Sequence, residues 1–348
     1  MNHILWVTTS YEGLWINHAY IRRVVQVSCR DLLLAARKGK PLDKNDVITL
    51  LNVDHNSDEF YELLATANFL SRTEYNNKGL VFAQIGINAE PCSANCKFCS
   101  MGQDHYSLPV TGKKNIGEIL AELDLLITNG INDFFLMTTA DYPVNDFMDI
   151  GKVIKKRLPD KIRFVANIGD FDYETAISLK KIGFTGVYHI HRLREGMDTS
   201  LKPESRINTL NAVRDAGLEL YYCVEPIGPE HSYDELATEM IRARDYEVKV
   251  MAVMRRTPVK GTPLYEKGQI TALELTKIAA VARLVTRPQR AMNAHEVTQM
   301  TLLAGVNQLY AEYGANPRDT EVQTEMNRGF SVAKAWNMLW EAGYGVTK

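Results

Sequence analysis

The sequence has few cysteines, little charge bias and no long apolar run. Five of its 348 residues are cysteine, and the formal net charge is −2. No apolar stretch reaches the roughly 18 residues that a membrane-spanning helix needs. The first residues lack the basic segment and long apolar core of a signal peptide, and the near-neutral charge gives no hint of a nucleic-acid partner. We therefore expect a soluble cytoplasmic protein that binds neither a membrane nor a nucleic acid.

Three of the five cysteines fall within eight positions of one another. They are Cys92, Cys96 and Cys99, in the segment Pro-Cys-Ser-Ala-Asn-Cys-Lys-Phe-Cys. A cluster held entirely by protein needs four thiolates. Three thiolates therefore suit a 4Fe–4S cluster with one free iron, where a small molecule can bind and react.

A zinc site, a disulfide framework and a chance group of buried thiols are the alternatives to this cluster. A zinc site usually has paired Cys-x-x-Cys or Cys/His sets, and no second pair follows here, although His105 could supply a fourth ligand. Zinc therefore stays open. A disulfide framework is disfavoured, because the number of cysteines is odd and the chain is long. A chance group of buried thiols is disfavoured by the polar neighbours Asn95 and Lys97.

The hydrophobic pattern predicts a helical segment followed by an α/β repeat. Residues 1–80 are expected to be helical, with Asp43 and Ser57 as helix N-caps. Strands are then predicted over Val81–Ile87, Asp133–Thr138, Arg163–Ile168, Gly186–His191, Leu218–Val224, Val248–Met254, Arg290–Asn293 and Val306–Glu312. The helices between and after them are Ile116–Asn129, Asp146–Arg157, Tyr173–Ile182, Glu204–Ala216, Tyr233–Asp245, Ala272–Val285, Glu296–Ala304 and Val322–Ala342. Eight such units predict a closed (β/α)8 barrel of the TIM type.

Sites in such barrels lie at the carboxyl ends of the strands. The three cysteines follow the first strand, in the long loop Ala89–Gly112. His189 and His191 alternate along the fourth strand, so both are expected to face the barrel interior. They are either substrate-binding groups or core histidines satisfied by hydrogen bonds. His295 follows the seventh strand and is expected to face the same cavity.

Several arginines are expected near the barrel mouth. Arg255 and Arg256 follow the sixth strand, and Arg290 opens the seventh. With Arg192 and Arg194 they suggest an anionic group on the substrate, such as a carboxylate. A solvated charged face is the alternative.

The cysteine segment resembles the signature of radical S-adenosylmethionine (SAM) enzymes. The pattern Cys-x3-Cys-x2-Cys, with Phe98 before the last cysteine, carries the resemblance. In that family the thiolates of the three cysteines hold a 4Fe–4S cluster, and SAM chelates its free iron. Reductive cleavage of SAM gives a 5′-deoxyadenosyl radical that abstracts hydrogen from a substrate. The resemblance implies that Phe98 lies near the adenine and that a flavodoxin or ferredoxin supplies the electron.

Further segments resemble one subgroup of that family. The helix that begins near Arg206, the segment Val259–Leu264 and the segment Leu303–Asn307 are similar to biotin synthase. The resemblance covers roughly residues 30–345. The subgroup also contains the hydrogenase maturase HydE and methylornithine synthase. It implies a radical SAM barrel over residues 81–348, preceded by a short helical extension over 1–80.

The same resemblance implies the residues that bind SAM. Arg206 would bind the carboxylate, and Glu195 the ribose or the amino group. The small residues Thr138, Thr139 and Ala140 would lie beside the amino group, although an ordinary turn after the strand explains them equally well. Gly228 would lie along the adenosine.

Cys223 bears on which reactions the sequence allows. It falls where biotin synthase has one ligand of an auxiliary 2Fe–2S cluster, but strands two and three carry Leu136, Met137, Val165 and Ala166 and no further cysteine. Cys223 is thus either a buried residue or a reactive thiol. We expect hydrogen abstraction from a small, carboxylate-bearing substrate in cofactor or amino-acid biosynthesis. Sulfur insertion of the biotin or lipoyl type, hydrogenase cofactor maturation, and a non-catalytic iron–sulfur or zinc scaffold are the alternatives.

Overall fold

Eight parallel strands close into a barrel. The computed structural model describes residues 28–108, 111–295, 298–311 and 330–346. The barrel strands are β1 (Leu80–Gly86), β4 (Asp133–Met137), β5 (Arg163–Asn167), β6 (Gly186–Tyr188), β7 (Glu219–Ile227), β8 (Val250–Arg255), β9 (Ala291–His295) and β10 (Gln308–Ala311). Their order follows the chain around the barrel, and β1 pairs with both β4 and β10. This arrangement confirms the predicted (β/α)8 barrel.

Helices surround the barrel and precede it. They are α1 (Cys29–Arg37), α2 (Lys44–Leu51), α3 (Asp58–Glu74), α4 (Ile116–Thr128), α5 (Val144–Lys155), α6 (Tyr173–Ile182), α7 (Pro203–Asp215), α8 (Tyr233–Asp245), α9 (Ala272–Thr286), α10 (Gln299–Leu302) and α11 (Val332–Glu341). Asp43 and Ser57 accept backbone N–H bonds as N-caps, as predicted. Among the described helices, none is long and apolar enough to cross a bilayer.

The largest departures from the predicted elements are local. Strand β6 has three residues instead of six, because the chain leaves the sheet after Tyr188. Helix α10 is a single turn of the predicted Glu296–Ala304. Residues 312–329, which include the end of the predicted eighth strand and the start of the last helix, lie outside the described residues, as do residues 1–27.

The helical extension packs on the outside of the barrel, where its helix α3 contacts the barrel helix α9. Ser71 on α3 donates to the Gly305 carbonyl at 2.6 Å and accepts from Arg283 Nε at 2.8 Å. Gly305 has a φ of +88°, and a Cβ there would lie 2.6 Å from the Ala67 carbonyl. Glycine is therefore required at this close approach. The domain boundary at residue 80 stays a prediction.

A buried ion pair closes the amino-terminal end of the barrel. Asp133, the first residue of β4, has no exposed surface. It pairs with Arg290 and accepts from Gln308 Nε2 at 2.5 Å. Arg290 precedes β9 and so lies at the end of the barrel opposite to the cysteine loop. The expectation that Arg290 binds substrate at the barrel mouth is therefore corrected: residues that open a parallel strand lie at the other end from residues that follow one.

We expect the substitution Arg290→Gln to lower stability without changing SAM chemistry. It leaves the buried Asp133 carboxylate without its cation, which costs roughly 2 kcal/mol. Urea denaturation measures the loss, and 5′-deoxyadenosine formation per folded molecule measures activity. Arg163→Gln is the control, because Arg163 at the same end is more exposed and pairs with Glu219 at 3.2 Å. A large loss of SAM cleavage in folded Arg290→Gln would contradict this assignment.

Candidate active site

A cavity opens at the carboxyl ends of the strands. It spans about 1000 Å³, which includes the solvent space at its open mouth. The predicted site residues that line it are Cys92, Cys96, Phe98, Cys99, Thr138, Thr139, Ala140, Arg206 and Arg256. Those that are not part of the lining are His189, His191, Glu195, Gly228, Arg255, Arg290 and His295. The structure thus brings the cysteine loop, the small residues after β4 and two arginines to one place.

The cysteine loop is a series of tight turns. Cys92 N–H donates to the Met101 carbonyl at 2.8 Å, and Cys99 N–H donates to the Cys96 carbonyl at 3.0 Å. Two short antiparallel strands, β2 (Asn88–Ala89) and β3 (Gly112–Lys113), close the base of the loop. The backbone therefore holds all three thiols at the same wall of the cavity.

Neighbouring loops fasten this segment to the barrel. Lys97 N–H donates to the Asp198 carbonyl at 2.9 Å, and the Lys97 carbonyl accepts from Leu264 at 3.0 Å. Ser93 N–H donates to Asp141 Oδ2 at 2.6 Å. These contacts come from the loops after β4, β6 and β8, so three strands fix the position of the thiols.

The His105 ring supports the cysteine loop by binding two of the loop's backbone carbonyl groups. Its Nε2 lies 3.1 Å from the Cys96 carbonyl and 3.0 Å from the Cys99 carbonyl. Because a carbonyl oxygen accepts, this nitrogen donates and carries a proton. Nε2 is therefore not free to bind a metal, which weakens the zinc alternative.

The three thiols fit a multinuclear cluster better than a single ion. Among the described residues, two groups of three His, Cys, Asp or Glu side chains have ligand atoms that all lie within 4.8 Å of one another, and neither contains these cysteines. Burial raises the pKa of Cys96 to about 12, and the nearby Cys99 and Cys92 act in the same direction against the charge of Arg192. A cation bound by the three thiols would favour their ionised forms.

The residues after β4 form the opposite wall. Asn88 Nδ2 donates to Thr139 Oγ1 at 2.8 Å, and Thr139 N–H donates to Asn88 Oδ1 at 2.9 Å. The buried Thr138 Oγ1 has no hydrogen-bond partner among the described residues. Behind them a Cβ on Gly169 would lie 2.4 Å from the Ala140 carbonyl, so only glycine allows the two loops to approach. This wall can offer a hydroxyl group to a ligand.

Arg206 lies against two acids. Its Nη1 donates to Asp170 Oδ1 at 2.8 Å, its Nε donates to the Ile190 carbonyl at 2.9 Å, and Nε is 3.6 Å from Glu195 Oε2. A guanidinium has five N–H donors, and these two bonds use two of them. Burial would by itself raise the pKa of Asp170, but His189 and Arg206 outweigh it and lower this pKa. Arg206 is thus held in place with donors left for an anion.

Glu195 orders the loop that follows β6 through hydrogen bonds within that loop. Its side chain has no exposed surface. Its Oε2 accepts from Arg192 N–H at 3.0 Å, and its other oxygen accepts from the Thr199 hydroxyl. In this structure Glu195 therefore positions Arg192 and Arg206, and its predicted contact with SAM stays a prediction.

The two histidines after β6 do not face the barrel interior. Tyr188 points inward, with its ring 5.9 Å from Phe135, so His189 points outward. His189 Nε2 lies 3.3 Å from Asp170, and His191 Nδ1 lies 3.0 Å from Glu239 on α8. The expectation that both bind substrate in the barrel is corrected: the inward residue is Tyr188, one position earlier in the side-chain alternation.

The buried His189 predicts a pH dependence of stability. Burial, followed by the charge of Arg206, lowers the pKa of His189 from 6.5 to about 3. The unfolded chain thus binds this proton more readily, so stability falls as the pH decreases from 6.5 towards 3, by up to about 1.4 kcal/mol per pH unit. His189→Gln should flatten this slope between about pH 5 and 6, where the carboxylates stay ionised. Urea denaturation at several pH values measures it, and an unchanged slope would contradict the assignment.

Arg256 and Arg255 have different surroundings. Arg256 is 1% exposed, pairs with Glu230 through both terminal nitrogens and lines the cavity. Its Nε has no hydrogen-bond partner among the described residues. Arg255 instead donates to the Ile270 carbonyl at 3.2 Å and is not part of the lining. A Cβ on Gly228 would lie 2.4 Å from Arg256 Nη1, so Gly228 makes room for this arginine.

Glu225, Thr257 and Asp170 were not predicted as site residues, and Arg192 was expected only as one of the arginines near the barrel mouth. Arg192, Glu225 and Thr257 line the cavity, and Asp170 lies against Arg206. Arg192 Nε lies 3.7 Å from Glu225 Oε1. All four follow a strand or lie near its carboxyl end, which is the signal that could have found them.

Comparison with known proteins finds similar sequences and similar folds. No family model matches the chain. Biotin synthase from Pelotomaculum thermopropionicum (strain DSM 13744 / JCM 10971 / SI) is 26% identical over 302 residues, which cover 80% of this chain and 90% of that protein. The crystal structure of methylornithine synthase (PylB) has a TM-score of 0.78 at 17% identity, covering 91% of this chain and 97% of that one. That of HydG, a maturase of the FeFe-hydrogenase, also has a TM-score of 0.78 at 17% identity, covering 91% and 75%.

The structural matches share the barrel, and the sequence match extends over most of both chains. The three-cysteine motif lies in the loop after β1, at the carboxyl end of the barrel. The chain is thus similar over most of its length to biotin synthase, and it shares the barrel fold of methylornithine synthase and HydG.

Proposed function

We propose that this enzyme cleaves SAM reductively and uses the product to abstract hydrogen from a small, carboxylate-bearing substrate. The observation that carries the proposal is the convergence of Cys92, Cys96 and Cys99 with Arg206 on one cavity. When bound, a 4Fe–4S cluster on the three thiolates would supply the electron that splits SAM into methionine and a 5′-deoxyadenosyl radical. A flavodoxin or ferredoxin would supply that electron to the cluster.

The cavity walls have the polar groups that SAM requires. Arg206, held by Asp170 and the Ile190 carbonyl, offers a fixed guanidinium for the methionine carboxylate. Thr138 and Ala140 border the same space, where a hydroxyl or carbonyl oxygen accepts from an amino group. Phe98 lines the cavity beside the thiols and suits stacking on the adenine.

The deeper part of the cavity favours a small anionic substrate. Arg192 and Arg256 both line it, and each has a buried Nε atom that has no hydrogen-bond partner within the described part of the chain. A substrate carboxylate would satisfy such nitrogens. Below them the rings of Phe135, Tyr188 and His295 fill the barrel and exclude water, which protects a radical from quenching.

The cysteine inventory favours hydrogen abstraction over sulfur insertion. The chain has five cysteines, three of them in the loop and Cys29 on an outer helix. This leaves Cys223 for the barrel, where β4 and β5 carry Leu136 and Val165 instead of further cysteines. One thiol does not hold a second iron–sulfur cluster, so a sulfur-donating cluster has no ligands here.

Anaerobic reconstitution tests the proposal. We expect one 4Fe–4S cluster per chain by iron and sulfide analysis, with methionine and 5′-deoxyadenosine formed after reduction. A panel of small amino acids and other carboxylic acids should contain members that accelerate 5′-deoxyadenosine formation, whereas their decarboxylated analogues should not. A second cluster would favour sulfur insertion. A fully loaded and reduced protein that leaves SAM intact would favour a non-catalytic scaffold.

A further inference from the structure

A second group of possible metal ligands lies inside the barrel, apart from the cysteine loop. The Cys223 thiol, a Glu225 carboxylate oxygen and a His295 ring nitrogen all lie within 4.8 Å of one another. Cys223 and Glu225 are two residues apart on β7, and His295 is the last residue of β9. Two strands on either side of β8 thus bring three different donors to one point.

The donors suit a single divalent ion. Thiolate, imidazole and carboxylate are the three side-chain ligands that proteins use for zinc. Their mutual spacing allows all three to reach one ion, in contrast to the three thiols of the loop. Cys223 has no exposed surface and Glu225 is 5% exposed. An ion held there would be shielded from bulk water.

The surroundings fix the orientation of the ligands. The Tyr188 hydroxyl donates to Glu225 Oε2 at 2.8 Å, which restrains that carboxylate as outer partners do in metal sites. The His295 ring packs between Phe82 at 5.5 Å and Tyr310 at 5.9 Å, measured between ring centroids. These contacts limit the rotation of both side chains before any ion binds.

We propose that Cys223, Glu225 and His295 bind one divalent cation of the zinc class. Because Glu225 also lines the cavity, the ion is within reach of molecules in it, and an oxygen or nitrogen of a small substrate completes its coordination. That last statement rests on the proposed function, whereas metal binding does not. Burial, together with the charge of Glu225, raises the pKa of Cys223, so binding releases a proton and tightens as the pH rises.

Zinc loading of the reconstituted enzyme tests the site. The full chain with its cluster is incubated with Zn²⁺ and desalted, and zinc and iron are then counted by mass spectrometry. We expect about one zinc per chain with no loss of iron, and the zinc K-edge absorption fine structure should contain one sulfur neighbour. Cys223→Ala and His295→Ala should each weaken zinc binding at least about 10-fold. Cys29→Ala is the control, because Cys29 lies on α1 and should leave zinc unchanged.

Three outcomes would overturn the site: no zinc retained, equal zinc in Cys223→Ala, or zinc with three sulfur neighbours and a matching loss of iron. The third would place zinc in the cysteine loop. SAM cleavage is measured on the same samples and separates this proposal from the proposed function. A chain that binds zinc through Cys223 but leaves SAM intact would refute the proposed function alone. A chain that cleaves SAM but retains no zinc would refute the metal site alone.

Discussion

Replacing Cys96 by alanine should abolish SAM cleavage. Cys96 is the most buried of the three loop thiols, and it lies on the cavity between Cys92 and Cys99 in sequence. Without it two thiolates stay in the loop, too few to hold the cluster with a single free iron. Loss of even an outer partner of a metal ligand costs about 10- to 100-fold. We therefore expect more than about 100-fold less 5′-deoxyadenosine, together with a large fall in bound iron.

The matched control for this prediction is Cys29→Ala. Cys29 is half-buried in the first turn of α1, on the outer extension. Its variant should keep the full iron content and the full rate. Thermal melting of both variants checks that they fold. Undiminished iron and SAM cleavage in Cys96→Ala would show that the cluster is held elsewhere.

Replacing Arg206 by alanine should weaken SAM binding with the cluster intact. A hydrogen bond to a charged group contributes about 1.5–3 kcal/mol, so the dissociation constant for SAM should rise roughly 10- to 100-fold. Arg206→Lys should recover part of the affinity, since it keeps the charge but loses the planar fork. Equilibrium binding to the oxidised, cluster-loaded protein measures the effect without any turnover.

Arg214→Ala is the control on the same helix. Arg214 is exposed near the end of α7 and pairs with its neighbour Asp215. It should leave SAM affinity unchanged. Iron content distinguishes a binding defect from cluster loss, and thermal melting detects the effect of leaving Asp170 without its partner. An Arg206→Ala protein with normal iron and normal SAM affinity would rule out the predicted contact with the carboxylate.

The helices, the strands and the three-cysteine motif could be predicted from the sequence because they depend on residues that are close together along the chain. The helix Tyr173–Ile182 begins at the capping residue Asp172 and ends at Gly183, which has a φ of +112°. These signals are local, and the predicted bounds are correct at both ends. The cysteine spacing is equally local. Eight such units with buried strands leave the closed barrel as the favoured arrangement.

Side-chain direction at the site could not be predicted in the same way. The alternation of His189 and His191 was recognised, but its phase depends on which residue of β6 the sheet turns inward, and that residue is Tyr188. Arg290 was grouped with the arginines of the mouth by its charge, although it was predicted to open its strand and therefore lies at the opposite end of the barrel. A shift of one position changes the face of a strand on which a side chain lies.

The sequence by itself determined the order of strands and helices, the place of the three cysteines after the first strand, and the family whose motif they match. The tertiary structure decided which charged groups meet. Asp170 and Arg206 are separated by 36 positions, and Cys223 and His295 come from strands on either side of β8. Periodicity reports on the surroundings of each segment, whereas contacts between segments depend on barrel closure and strand register, which only the folded chain fixes.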